Sequence, residues 1–264
     1  KMRKAIAEWF SLYYQGETVK DEDSCQQIPY TIVRKLTKTV FAEYEATSKD
    51  AYTDGILASL AKKKTEAMQA ALIGGESMLK PIPEGDGFRF LVVPRNNILV
   101  FAKDADGNAT DVGMAERVTV GNAYYTLLER RTVAENGYLT IKNRLFRSYN
   151  GENLGQEVPL NSIPQYEQLE PEYTFNKPVD CVGLVSLCTP MVNCVDGSSD
   201  HVSVYAAAVG LIHNINRNEA QLNGEFDRGE SRIIVSADML ASNKDGGKAL
   251  KDHVFVGLDE DQET

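Results

Sequence analysis

The chain passes from helical to strand period at Gly74-Gly75, and that change limits what it can fold into. Before it, apolar residues recur at helical spacing. Met2, Ile6, Trp9, Phe10 and Tyr13 form one run, ended by Gly16, and a polar linker with Asp21-Glu22-Asp23 follows. Ile32, Val33, Leu36, Val40, Phe41 and Tyr44 mark a second helix. A third is expected from Asp54 to Ile73, with Ile56, Leu57, Leu60, Ala67 and Ala71 on one side. After the glycine pair, runs rich in aromatic and β-branched residues, such as Phe88 to Val93, Ala123 to Val133 and Tyr138 to Tyr149, alternate with turns. Gly121-Asn122, Asn136-Gly137 and Asn150-Gly151 supply the positive φ that tight hairpins need. The expected class is α+β: a helical N-terminal part, an antiparallel β-meander and then one long projecting helix. Pro159, Pro164, Pro171, Pro178 and Pro190 punctuate the loop-rich stretch that leads to that helix.

The long helix is expected from about residue 198 to residue 229. Ser198 or Ser199 can cap it, Asp200 suits the first turn, and Arg228 with Gly229 suits its end. At about 100° per residue, Val204, Ala208, Leu211, Ile215, Leu222 and Phe226 fall in an arc of roughly 60°. Ala206, His213, Arg217, Ala220 and Gly224 lie almost opposite, flanked by Asn216 and Asn223. With Asn214, Asn216, Asn218, Asn223 and Gly224 inside it, the helix has poor intrinsic propensity and needs tertiary or inter-subunit packing.

At 264 residues and 42% hydrophobic composition, the chain can bury a substantial core in one large or two smaller domains. Lys plus Arg total 28 against 38 Asp plus Glu, a formal net charge of -10, which opposes tight binding to phosphates. The longest basic run, Lys62-Lys63-Lys64, reads as the solvated face of the third helix. No run of about 18 apolar residues is present, so no transmembrane helix is expected. Cys181, Cys188, Cys194 and His201 stand too far apart for a structural zinc site; the cysteines, with Cys25, read as reduced thiols buried as small hydrophobes on strands. Asp104-Ala105-Asp106-Gly107 places its glycine too early for a calcium loop and reads as a hairpin turn. Phosphate-binding glycine loops and nucleophile elbows are missing from the sequence. Catalytic, cofactor and metal residues are therefore assigned to none.

With its Ser198-Ser199 turn, its long helix and the closing run Glu225-Phe226-x-x-Gly229-x-x-Arg232-Ile233, the segment Gly197 to Val235 resembles the portal proteins of tailed bacteriophages. In that family a Ser-rich turn opens a long helix ending in a Glu-Phe-x-x-Gly-x-x-Arg-Ile run, matched here by Glu225-Phe226-Asp227-Arg228-Gly229-Glu230-Ser231-Arg232-Ile233. Trp9-x3-Tyr13-Tyr14, Gly74-Gly75-Glu76 with Lys80-Pro81, Tyr124-Tyr125-Thr126-x-Leu128-Glu129, Tyr138-x2-Ile141-x-Asn143 and Leu154-Gly155-x2-Val158-Pro159-Leu160 extend the likeness in the family's order. The family's usual Asp-Ser-Pro-Leu-Gly ahead of the stem reads here Asp196-Gly197-Ser198-Ser199-Asp200-His201-Val202, which leaves the entry geometry of the helix open.

The resemblance implies a wing domain over residues 1–196, a stem helix over 198–229 and the start of a clip over 230–264. The chain is then expected to be a fragment, since the family's returning stem helix and crown lie beyond this point, and any targeting signal upstream is unreadable. It implies a structural subunit and not an enzyme: a homo-oligomeric ring, usually a dodecamer, at the capsid vertex of the virion, assembled in the host cytoplasm. Double-stranded DNA would pass through it without tight binding. Terminase, head-tail adaptors and capsid proteins would be its partners, with no cofactor and no membrane. Ile215, Arg217, Gln221, Glu225 and Arg228 are the residues expected to serve oligomerisation or the channel. Two other classes compete: a different virion or surface module that binds protein through the meander, and a hydrolase using His201 or His253 with a nearby Asp or Cys.

Overall fold

The structure, a computed structural model, describes residues 1–14, 26–179, 181–230, 240–242 and 248–250. Four helices precede the glycine pair: α1 (Met2–Tyr14), α2 (Ile28–Phe41), α3 (Ala51–Ala61) and α4 (Lys64–Gly74). The single helix expected over 54–73 is two. Asp50 caps α3 by accepting from the Thr53 N–H at 2.8 Å and its hydroxyl at 2.7 Å, so that helix starts earlier than its apolar residues indicate. It breaks at Lys62-Lys63, and the two halves are buried to different depths. α3 has no buried residue and lays Leu60 against the cluster of Ala67, Ala70, Leu79 and Val92, whereas α4 sinks Ala67, Ala70, Ala71, Leu72 and Ile73 into the interior.

Gly75 ends α4 with φ +86, its N–H bonded to the Ala71 carbonyl at 2.7 Å, a left-handed helix end of the kind glycine permits. The chain then enters a small antiparallel sheet, in the order β2–β1–β9, built from β1 (Glu76–Glu84), β2 (Gly87–Pro94) and the later β9 (Val185–Cys188). A larger antiparallel sheet, the expected meander, contains β3 (Ile98–Lys103), β4 (Ala109–Val120), β5 (Ala123–Val133), β6 (Leu139–Ser148) and β7 (Gln156–Val158) in sequence order. β8 (Glu172–Thr174) also pairs with β6. Val120 opposes Ala123 across the two-residue Gly121-Asn122 turn. The Asp104 carboxylate accepts from the N–H groups of Asp106 and Asn108, so the acidic loop is the hairpin turn between β3 and β4.

Alternation along β1 and β2 makes the architecture three-layered. Leu79 and Val92 face α4 and pack on Ala67 and Ala70. Their neighbours Met78 and Val93 face the large sheet, where they meet Ile98, Val112, Met114 and Val182. A third cluster joins α1, α2 and the end of α4 to the stretch before the long helix: Trp9, Val33, Ile73, Val202, Tyr205 and Ile212. The Tyr205 hydroxyl donates to the Trp9 carbonyl at 2.8 Å inside it.

That cluster corrects the expected start of the long helix. Residues 198–205 are not helical; a 3-10 turn at Ala206–Ala208 leads into α5 (Val209–Glu230). Val202, Ser203 and Tyr205 are buried in the core, Tyr205 in a turn at φ -110 and ψ 13, and Asp200 pairs with Arg95 and Lys103 instead of serving a first helical turn. The expectation of buried cysteines is also overturned: Cys181, Cys188 and Cys194 are exposed. Cys188 sits on β9, a sheet edge whose outer side is uncovered; Cys25 lies outside the described residues. Of the segment assigned to the clip, the described residues after Glu230 are one short pair, β10 (Leu240–Ser242) with β11 (Lys248–Leu250).

A Cβ on Gly75 would stand 2.5 Å from the His201 carbonyl group, whereas one on Gly85, also at positive φ, would meet nothing within 4 Å. Gly75→Ala should therefore cost about 3 kcal/mol or more and Gly85→Ala only about 1 kcal/mol. Equilibrium urea unfolding measures both; equal costs would mean that the close approach at Gly75 does not govern stability.

Candidate functional site

α5 is held to the body by one narrow face near its start. Ile212 is 2% exposed and completes the cluster around Trp9 and Tyr205. One position on, His213 Nε2 lies 2.9 Å from Glu8 Oε1 of α1, and Asn216 Oδ1 accepts from the Gln26 N–H at 3.3 Å. His213 and Asn216, placed by the sequence on the face opposite the apolar arc, are thus body contacts. Ile212 was not singled out at all. Its signal is its place three positions after the mostly apolar stretch Val202 to Val209.

The apolar arc expected to find neighbours is open. Leu211, Ile215, Leu222 and Phe226 are 63, 37, 52 and 64% exposed. The two residues placed in the same arc ahead of α5, Val204 and Ala208, do pack against the core. Arg217, Gln221 and Glu225 are exposed and spaced four apart, which sets them along one line of the helix about 140–220° around from Ile212. Arg228 falls at a helical position whose side chain lies outside the described residues. The expected site residues are therefore split between two faces: Ile215 on the apolar stripe, and the polar three on the side turned from the body.

A second concave region lies between β1 and the large sheet. Lys80, pointing to the side of Met78, forms an ion pair with Glu129, which also holds Arg131 Nε at 2.6 Å. Arg131 Nη1 continues to the carbonyls of Val182 and Gly183. All three charged groups are nearly buried. Burial raises the Glu129 carboxyl, but the charges of Lys80 and Arg131 outweigh it and hold the group below its usual range. A lysine and an arginine engaged in this way brace two layers and are not free for acid–base work. Beside them, Tyr166 donates its hydroxyl to Glu116 at 3.0 Å. Asn143 donates Nδ2 to the Glu170 carbonyl at 2.8 Å while its Oδ1 has no partner.

Among the described residues, those named for hydrolysis are not brought together. His201 Nδ1 lies 3.2 Å from the Thr189 carbonyl, a backbone partner and not a carboxylate. Cys188 contacts Ser186 at 3.2 Å; partial burial of its sulfur and the nearby Glu76 charge push its thiol up, away from the reactive thiolate. His253 lies outside the described residues. Among the described residues no group of three or more His, Cys, Asp or Glu side chains could hold a metal ion, and no helix is long and apolar enough to cross a membrane.

Glu129→Gln should lower stability by about 3 kcal/mol at neutral pH, because it strands two buried cations. The folded carboxyl is depressed, so its contribution is present above the unfolded value and is lost as pH falls through the folded one. Denaturant melts of both proteins should therefore converge in acid; a gap that persists there would mean the loss is one of packing. In comparisons with known proteins, no family model and no curated sequence matches this chain.

Proposed function

We propose that this chain is a subunit of a portal-type ring: a structural, non-catalytic wall around a channel for double-stranded DNA. The observation that carries the reading is the exposed stripe Leu211, Ile215, Leu222 and Phe226 on a helix rooted in the body by Ile212. From Leu211 to Phe226 the stripe extends about 22 Å at about 1.5 Å per residue. Each such side chain gains about 1.5–3 kcal/mol when buried. α5 is also rich in Asn and a poor autonomous helix. Both features ask for a neighbour along the free face, and the ordered likeness to portal sequences supplies one: the stem helix of an adjacent copy. Arg217, Gln221 and Glu225, turned from the body, then line an interface or the channel.

The net charge of -10 suits a conduit through which a phosphate backbone slides without sticking. In this reading residues 1–196 are the wing and the segment after Glu230 begins the clip. The ring, a dodecamer as is usual in the family, stands at a capsid vertex. It assembles in the host cytoplasm and docks terminase during packaging and adaptors afterwards; ATP hydrolysis belongs to the terminase.

Ile215→Asp in the full-length protein places an unpaired charge in the middle of the stripe. Sedimentation velocity should show loss of the ring with the circular dichroism of the body unchanged. A mutant that still forms rings would overturn the stem assignment.

A further inference from the structure

Opposite sides of the three-layer fold carry uncompensated charge of opposite sign. On the helical side, Arg34 and Lys38 of α2 line a cleft of about 420 Å³ with Phe41 and Thr65. Lys64, at the start of α4, stands over the Phe41 ring at 5.1 Å. The basic run read as a solvated helix face is thus brought beside α2 by the break between α3 and α4. Among the described residues, Lys63 alone of these neighbouring cations is held in an ion pair, to Glu66 at 2.6 Å. In a chain with 38 carboxylates against 28 cations, Arg34 and Lys38, together with Lys64 over the Phe41 and Tyr44 rings, make this a basic patch.

The counterpart lies across the small sheet, in the cleft of about 730 Å³ bounded by β1, β5, β6 and residues 165–170. Its own cations are committed: Lys80 and Arg131 to Glu129, and Arg89 towards Glu84 at 4.0 Å. What it leaves over are acceptors. Glu170 lines it, and Glu167 stands in the chain between the lining residues Tyr166 and Gln168; both are exposed and, among the described residues, in no ion pair, while Glu116 accepts from the neutral donors Tyr166 and Gln165. Asn143, 7% exposed, lines the same cleft with an unpartnered Oδ1. Its amide orientation follows from the Nδ2 bond to the Glu170 carbonyl.

We propose that the basic face of α2 and α4 in one copy docks on the acidic cleft around Glu167 and Glu170 of the next copy. The proposal rests on the ring reading and names a contact for it outside the stem. The two surfaces lie on opposite sides of the small sheet, since Leu79 and Val92 face the helices and Met78, Val93 and Lys80 face the large sheet. They cannot meet within one chain. Joined between chains they make a head-to-tail contact, the kind that closes into a ring when the rotation is right. Charge pairing there sets register and suppresses wrong neighbours more than it adds affinity.

The test is a charge exchange in the full-length protein, read by sedimentation velocity at low and high salt, with circular dichroism as the check on folding. Arg34→Glu with Lys38→Glu, and separately Glu167→Lys with Glu170→Lys, should each weaken assembly by about tenfold or more at low salt. All four substitutions in one chain restore opposite charges at every contact, so assembly should return. Three outcomes overturn the proposal: either pair assembling like the wild type, a fourfold variant no better than the pairs, or a duplex oligonucleotide bound by the wild type and lost with Arg34→Glu and Lys38→Glu. If the wild type assembles and the exchanges have no effect, the ring reading survives without this contact. If the wild type remains a monomer at every concentration, both fall.

Discussion

The return of the chain over the end of α4 at Gly75 is the constraint on which the rest of the structure depends. At that point backbone lies on backbone: a side chain on Gly75 would overlap His201 and Val202. Thr189 closes the gap by donating its hydroxyl to the Val202 carbonyl at 2.6 Å and its N–H to the Gly75 carbonyl at 2.9 Å. The Val204 N–H reaches the Leu72 carbonyl at 3.1 Å. These bonds satisfy carbonyls at the end of α4 that a helix leaves open. They also place Val202 and Tyr205 in the core beside Trp9, and so determine where α5 starts and in which direction it leaves.

Beyond this crossing, the layers are joined by two different means. The small sheet and α4 meet through aliphatic packing of Leu79 and Val92 on alanines, a close approach that small side chains permit. The two sheets meet partly through Met78 and Val93 and partly through the ionic group of Lys80, Glu129 and Arg131. A buried ion group adds little net stability over apolar packing of the same volume, but mispairing it is costly, so it favours one register of β1 on β5. The cleft beside it stays open because its remaining polar groups find partners in residues 165–170 and not in one another.

For function, the consequence is a helix with divided loyalties. α5 is tied to the body by Ile212, His213 and Asn216 and leaves its apolar stripe to whatever lies alongside. The proposal that further copies of the chain cover this stripe rests on that exposure. An assembly role is the proposal that draws on these features together, whereas His201, His213 and Cys188 have a backbone carbonyl, a carboxylate and a hydroxyl as their respective partners.

Local chemistry in the sequence determined a good part of this protein. The period change at Gly74-Gly75, the turns at Gly121-Asn122 and Asn136-Gly137 and the amphipathic runs of α1 and α2 depend on short-range sterics or on side-chain spacing and stand where the spacing predicts, except that α2 ends at Phe41, short of Tyr44, and Gly155, not Asn150-Gly151, takes the positive φ between β6 and β7. Only the tertiary structure decided the rest. Ser198, Ser199 and Asp200 carry the chemistry of a helix start, yet α5 begins at Val209, since burying Val202 and Tyr205 beside Trp9 outweighs a cap worth about 1 kcal/mol. The break at Lys62-Lys63 separates α3, which buries no residue, from the deeply buried α4, and the exposure of Cys188 goes with its place on the edge strand β9. Ile212 shows the limit most directly. Periodicity reveals that a helix has an apolar side, but which side meets the body depends on where the preceding residues are buried, a contact between segments about 200 positions apart.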